Sequence, residues 1–350
     1  MVKFSYMHLP AYPLDESVRL IQKADELGYY AAYAVDETWW KDMWLLFAAA
    51  AGRTKQIRMG PNVTHVIMRD PAHIVQMLAT LDELTGGRAD CVVSFGNQSL
   101  LPQHGIDVKG MKPLSRVIEA RQVMRDFLDN GALTHDGEFF DFAGLWTVAR
   151  PVQERLPIKL GAMGGPRSFE VGGELFDGVH QAIGCSRETY EYMIEHVKIG
   201  AARAGRDWQD LDLAAWVVFA CGEDSKAAKE TARIMVAFYL ASMPESQLAR
   251  HGITMDDLKP ILDAFGAGDV QKALDLTSPE LGDMLSISGT PEECAEKLQR
   301  DIISTGINHV VAAVVDPYLV KAFTGRDIEG CPDSHGQLQL IHDRVMPAFA

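Results

Sequence analysis

Residues 3–36 read KFSYMHLPAYPLDESVRLIQKADELGYYAAYAVD, which makes one complete strand–helix–strand unit. Lys3 to His8 is a short apolar and aromatic run, the signature of a strand. Leu14, Val18, Ile21, Ala24 and Leu27 then recur at helical spacing, and Gly28 stands where a glycine ends a helix. Tyr30 to Val35 is a second strand, running into Asp36-Glu37. Outward from this unit the same alternation continues. Met43 to Ala51 is helical and Arg58 to Thr64 is a third strand. Asp70-Pro71 opens the next helix, with aspartate as cap and proline at the first helical position, and Thr85-Gly86-Gly87 closes it. Ala89 to Phe95 is a fourth strand, Ile158 to Ala162 a fifth, Gly178 to Ile183 a sixth, Leu211 to Cys221 a seventh and His309 to Val315 an eighth.

Strands alternating with helices imply parallel βαβ units of the α/β class. Eight repeats in 350 residues point to a closed (β/α)8 TIM barrel more than to an open doubly wound sheet. Pro113 to Leu128 is read as a helix, followed by an irregular stretch with glycines and aromatics to Val152. Residues from about 237 to 286 do not fit one βα unit and are read as a helical insertion after strand seven. The whole chain, 1–350, is expected to be a single barrel domain carrying that insertion.

Composition narrows the function. A formal charge of −15 argues against nucleic acid and anionic membrane surfaces as partners, since both require clustered lysine and arginine. No apolar run approaches the roughly 20 residues needed to cross a bilayer, and no signal-peptide pattern follows Met1. Five scattered cysteines without a Cys-x-x-Cys pair argue against a disulfide framework and fit a reducing cytoplasm. In so acidic a chain an anionic ligand must be held by local backbone N–H groups.

Barrel active sites form at the C-terminal ends of the strands, and that rule yields the candidates. They are His8 after strand one; Asp36, Glu37, Trp39 and Trp40 after strand two; Asn62, Val63, Thr64 and His65 at strand three. Strand four offers Gly96, Asn97 and Gln98, strand five Gly161, Ala162, Met163, Gly164, Gly165 and Pro166, and strand six Ala182 and Ile183. Glycines before a helix let the backbone approach a phosphate, with the helix N-terminus favouring negative charge. The same glycines also serve a tight turn for its own sake. Asp36-Glu37 beside two tryptophans is either a carboxylate set in an apolar pocket for proton transfer or a solvated acidic turn. His8 and His65 are candidate acids or bases, or simply hydrogen-bonded core histidines. No His-x-x-x-His or Glu-x-x-His spacing appears, so no metal is expected, and there is no Gly-x-Ser-x-Gly elbow.

Several stretches together resemble the luciferase-like superfamily of flavin and deazaflavin oxidoreductases. They are Asp36, Met59-Gly60-Pro61-Asn62-Val63-Thr64 with Arg69-Asp70-Pro71, and Leu81-Asp82-Glu83-Leu84-Thr85-Gly86-Gly87-Arg88. Within that superfamily, Gly161 to Pro166, Val236-Ala237-Phe238, Arg250-His251-Gly252 and Ser288-Gly289-Thr290-Pro291-Glu292-Glu293 resemble the methylenetetrahydromethanopterin reductases and their bacterial relatives.

The resemblance implies a hydride-transferring enzyme that binds coenzyme F-420 at the barrel mouth. A non-proline cis peptide in a strand-three bulge, within Asn62-Val63-Thr64, would support the ring, and the glycine loop after strand five would grip the phosphoryl tail. Glu37, His8 and His65 are then the candidate proton carriers, and Trp39 and Trp40 the walls of a small-molecule substrate pocket. Two positions depart from the family pattern. Glu37 stands where many members have histidine, and Met7 where the methanopterin reductases have glutamate. Pterin reduction is therefore not assigned. An FMN-dependent monooxygenase, supplied by a flavin reductase partner, is the alternative on the same barrel, and a non-catalytic flavin-binding or scaffold protein is the alternative from another class. The resemblance also implies a homodimer or higher homo-oligomer.

Overall fold

The computed structural model describes residues 1–97 and 99–350, so Gln98 lies outside the described residues. In chain order the strands are β1 Lys3–His8, β2 Ala31–Ala34, β3 Arg58–His65, β4 Val92–Ser94, β5 Ala132–Asp136 and β6 Asp141–Trp146. They continue with β7 Lys159–Ala162, β8 Gly178–Ala182, β9 Asp212–Cys221, β10 Ser286–Gly289 and β11 His309–Val314. The first six helices are α1 Leu14–Glu26, α2 Met43–Ala51, α3 Pro71–Thr85, α4 Pro113–Asn130, α5 Pro166–Leu175 and α6 Arg187–Arg203. After them come α7 Ser225–Tyr239, α8 Glu245–Arg250, α9 Met255–Gly266, α10 Val270–Leu276, α11 Pro279–Met284 and α12 Pro291–Asp301. Among the described residues no helix is long and apolar enough to cross a membrane.

Nine strands form one sheet in the order β10-β9-β11-β1-β2-β3-β4-β7-β8, and β8 also pairs with β9. The strand order closes on itself, and the fold is a (β/α)8 barrel of the α/β class. The chain divides into two compact units, the first His8–Gly161 with Phe176–Gly178, the second Met1–Met7, Ala162–Leu175 and Val179–Ala350.

In the first unit β2, β3, β4 and β7 run parallel, with Ala31 opposite Arg58 and Asn62 opposite Val92. Two aspartates explain why its helices sit where they do. Asp25, in α1, accepts the backbone N–H groups of Lys55, Gln56 and Ile57 at 2.7–2.8 Å, fixing the entry to β3. Asp82, in α3, accepts the N–H of Ala89 at 3.0 Å and those of Val152 and Gln153 at 2.7 and 2.9 Å. The Leu81–Arg88 stretch is thus a structural clamp. Its Arg88 donates to the carbonyls of Ile57, just before β3, and Thr85, the last residue of α3, at 2.6 and 2.7 Å, the second being a group the helix end leaves open. Inside the strands, Asp90 accepts from Tyr33 Oη at 2.9 Å and Lys159 Nζ at 2.8 Å, so the buried ammonium is paired and hydrogen-bonded.

The stretch read as irregular between α4 and Val152 contains an antiparallel hairpin, β5 with β6. Its turn is held by Glu119 of α4, which accepts the N–H groups of Phe139 and Phe140 at 3.0 and 2.8 Å. Most of β6 is exposed, so it lacks the alternation by which a half-buried strand is recognised.

In the second unit β1, β11, β9 and β10 run parallel, with Lys3 opposite His309, His309 opposite Ala214, and Ser286 opposite Val218. All ten residues of β9 are buried. The helical insertion expected over about 237–286 corresponds to α8 to α11, and a ninth strand of the sheet, β10, which the sequence reading did not include, begins at its far boundary. Ile234, Ala237, Leu274 and Val320 form a satellite core, with Phe238, Phe265, Val270 and Ile328 packed against it, which fixes α9 and α10 on α7.

Candidate active site

In the first unit the residues predicted from the ends of β2, β3 and β4 come together. β3 breaks register with β4 between Asn62 and Thr64, and the Asn62–Val63 peptide is cis, in the segment expected to carry one. Gly161 faces this bulge. A Cβ there would overlap Cγ1 of Val63, so glycine is required for close approach and not for its dihedral freedom.

Asp36 is buried and its carboxylate is fully engaged. Arg69 grips it in a fork, Nε to Oδ2 at 2.6 Å and Nη2 to Oδ1 at 2.7 Å, while Thr64 Oγ1 donates at 2.7 Å and Trp44 Nε1 at 3.2 Å. The paired carboxylate raises the guanidinium pKa of Arg69, chiefly through the side-chain hydrogen bond. The Asp36 backbone N–H donates to Val63 at 3.1 Å, and His65 Nε2 meets the Asp36 carbonyl. Asp36 therefore ties β2 to the bulge of β3. It is a structural anchor more than a free acid.

Glu37 is half-buried and differently placed. Asn97 Nδ2 donates to its Oε1 at 3.0 Å and Trp40 Nε1 to its Oε2 at 3.2 Å. Each oxygen accepts one neutral N–H and keeps further lone-pair capacity for a substrate proton. Trp39 is 47% exposed and donates to Gln103 Oε1 at 3.0 Å, and Thr38 Oγ1 lies 2.8 Å from His104 Nε2. These two bonds fasten the β2 loop to the turn at Leu101–His104.

His8 is completely buried, and its ring stacks on Tyr12 with centroids 5.7 Å apart. Burial, then the charge of Lys41, push its pKa down to about 3, so the imidazole is neutral at physiological pH. Gly96, at φ +142°, lies against His65, whose Cβ would be 3.3 Å from any added methyl.

In the second unit the residues expected at the glycine loop form a separate cradle. Gly164 has φ +121°, and its carbonyl accepts Arg250 Nη2 at 2.6 Å. Arg250 also donates to Ser246 and lies 3.9 Å over the Tyr192 ring. Gly165 begins the turn into α5, its carbonyl accepting the Ser168 N–H at 3.1 Å. Ala162 and Gly164 are buried, Met163 is half-buried, and Gly165 and Pro166 are exposed. Ile183 has the unusual φ of 52°, and Gln247 Nε2 donates to the carbonyls of Ala182, at 3.0 Å, and Ile183. His251 braces this arrangement, its Nδ1 3.0 Å from the Gln247 carbonyl and its Nε2 accepting the Cys185 N–H at 3.3 Å. Burial lowers the His251 pKa, in keeping with a neutral ring that donates at one nitrogen and accepts at the other.

A profile of the family described as luciferase-like monooxygenase matches residues 2–309. The chain belongs to the luciferase-like monooxygenase family. The 5,10-methylenetetrahydromethanopterin reductase of Archaeoglobus fulgidus is 29% identical to this family member over 351 residues, covering 99% of each chain. The solved structure of the coenzyme F-420-dependent tetrahydromethanopterin reductase from Methanopyrus kandleri has a TM-score of 0.89 and 25% identity, covering 100% of this chain and 99% of that one. An F-420-dependent secondary alcohol dehydrogenase bound to an F-420–acetone adduct has a TM-score of 0.78 at 20% identity, over 100% of this chain and 99% of that one, a likeness of fold. The luciferase-like barrel and the oxidoreductase class expected from the sequence are thus borne out.

Sequence reasoning missed Gln247 and used Arg69 and Arg250 only as family marks, not as site residues. Arg69 stood beside the Asp70-Pro71 cap, where an arginine reads as helix-start surface, and the arginine fork is visible only once β2 and β3 are paired.

Proposed function

We propose that this protein is a coenzyme F-420-dependent oxidoreductase that moves a hydride to or from a small organic substrate. The observation that carries the proposal is the bulge of β3, where the strand breaks register and Val63 packs on Gly161, in a chain that matches a methylenetetrahydromethanopterin reductase end to end. In the first unit Asn62, Val63, Thr64, Gly96 and Asn97 are assigned to the flat ring, with Asp36 bracing them. In the second, Gly161's neighbour Ala162 with Met163, Gly164, Gly165, Pro166, Ala182 and Ile183 are assigned to a phosphoryl group. The fit there rests on a glycine loop at a helix N-terminus, with its carbonyl drawn aside by Arg250. When bound, a deazaflavin supplies two-electron hydride chemistry.

The chain's own part is to orient the substrate and handle one proton. Asp36 is consumed by Arg69, and His8 is neutral and enclosed. Glu37 Oε1 and Oε2, steered by Asn97 and Trp40, are the atoms best placed to take or return a proton, and Trp39 and Trp40 bound the substrate. The five buried free thiols suit a reducing compartment, so we place the enzyme in the cytoplasm, as a homodimer or higher homo-oligomer.

Titrating the purified protein with coenzyme F-420 and with FMN, followed by the fluorescence of each ligand, tests the reading. Saturable binding of F-420, tighter than that of FMN, is expected. Binding of FMN alone would replace the proposal with a flavin monooxygenase, and binding of neither would overturn both.

A further inference from the structure

Away from these sites, the second unit brings two histidines and an aspartate together inside the strands. We infer that His180, Asp212 and His309 form a binding site for one divalent transition-metal ion, with zinc as the reference ion. His180 is central in β8, and Asp212 and His309 are the first residues of β9 and β11. All three are buried, and one potential ligand atom from each lies within 4.8 Å of the others.

A hydrogen-bonded pair engages two of the three groups, and a cation would engage all three. His309 Nδ1 lies 2.8 Å from Asp212 Oδ1, a hydrogen bond sufficient to hold this carboxylate. Yet a second imidazole converges on the same oxygen, with His180 Nε2 4.0 Å away and its ring edge-on to that of His309 at 5.3 Å. That separation is too long for a hydrogen bond. Zinc bonds of about 2.0–2.1 Å put tetrahedral ligand atoms about 3.3 Å apart, so the two Asp212 spacings need to change by less than about 1 Å, and the spacing between the histidine nitrogens, within 4.8 Å, by at most about 1.5 Å. Two imidazoles and a carboxylate are a donor set that zinc and its neighbours favour, and they leave a fourth position for water.

The surroundings fit as well. Ser5 Oγ lies 2.6 Å from His309 Nε2, the outward partner that fixes the ring of a metal-bound histidine. Without metal, the Nδ1 proton points at Asp212 and the serine hydroxyl donates to Nε2. With metal on Nδ1, the proton moves to Nε2 and Ser5 accepts it, so the ring changes tautomer with no net proton release. Lys3 Nζ, 3.5 Å from Asp212 Oδ2, marks the side on which this group comes nearest to solvent.

Chelator-treated full-length protein titrated with zinc chloride by calorimetry tests the site, alongside thermal melts with and without zinc. Wild type is expected to bind one equivalent and to melt higher with zinc. His180→Gln should weaken binding at least tenfold, Ser5→Ala by about 10–100-fold, and the exposed control His342→Gln not at all. Equal zinc affinity in His180→Gln and wild type, or no zinc-dependent melt in wild type, would overturn the inference. Should His180→Gln fail to fold, cobalt(II) added to wild type decides, because a four-coordinate nitrogen and oxygen site gives an intense visible band and a surface-bound ion does not.

Discussion

Replacing Gly161 with alanine adds one methyl group at the point where β7 meets the bulge of β3. The new Cβ would meet Ser94 Cβ and Val63 Cβ at 3.6 Å, which are ordinary contacts, so the conflict is with Val63 Cγ1 alone. Valine has few alternative rotamers, so the strain passes to the backbone. Overpacking of this kind costs about 1–3 kcal/mol. Val63→Ala removes the opposing methyl from a half-buried side chain and by itself should cost about 1 kcal/mol. If the clash is the cause, the double variant should recover at least about 1 kcal/mol relative to the sum of the singles. Urea denaturation followed by circular dichroism measures all three. F-420 fluorescence titration should show a weakening of about tenfold or more in Gly161→Ala, partly restored in the double variant, since about 1.4 kcal/mol corresponds to tenfold. A Gly161→Ala protein as stable as wild type, or strictly additive energies, would refute the close-approach argument.

Three further outcomes follow from the same residues. Arg69→Ala leaves the buried Asp36 carboxylate with only Thr64 and Trp44 as donors and should cost about 2–3 kcal/mol in urea denaturation, below the 3–5 of a fully enclosed pair because the arginine is partly exposed; Arg69→Lys should restore only part of it, lacking the fork. For His8, the unfolded chain gains a proton near pH 6.5 that the folded chain resists until about pH 3, so stability falls as pH drops through that window. Between pH 7 and pH 5, His8→Gln should therefore lose about 2 kcal/mol less stability than wild type, and identical losses would show that His8 does not resist protonation. Glu37→Gln should lower turnover by about 100-fold or more while changing cofactor affinity less than threefold, and an unchanged rate constant would remove Glu37 from proton transfer.

The alternation from Lys3 to Asp36, repeated along the chain, was enough to read an α/β barrel, because strands and helices leave different periodicities and parallel strands require crossovers. The cap at Asp70-Pro71 was equally legible, being a local hydrogen-bonding device. The exposed hairpin β5–β6 and the four-residue β10 left no such trace, since one has no buried face to impose an alternation and the other is too short to show a period.

Candidate residues at strand ends could be named from position alone, but their roles could not. Asp36 and Glu37 are neighbours in sequence, and only strand pairing decides that one is locked by Arg69 while the other is steered by Asn97 and Trp40. The same holds for His180, Asp212 and His309, which have no ligand-like spacing and meet only because their strands lie near one another in the sheet order. Local sequence sets what each segment forms, through its own backbone bonds and apolar period. Which carboxylate meets which cation depends on contacts between residues far apart in the chain, and these exist only after the sheet has formed.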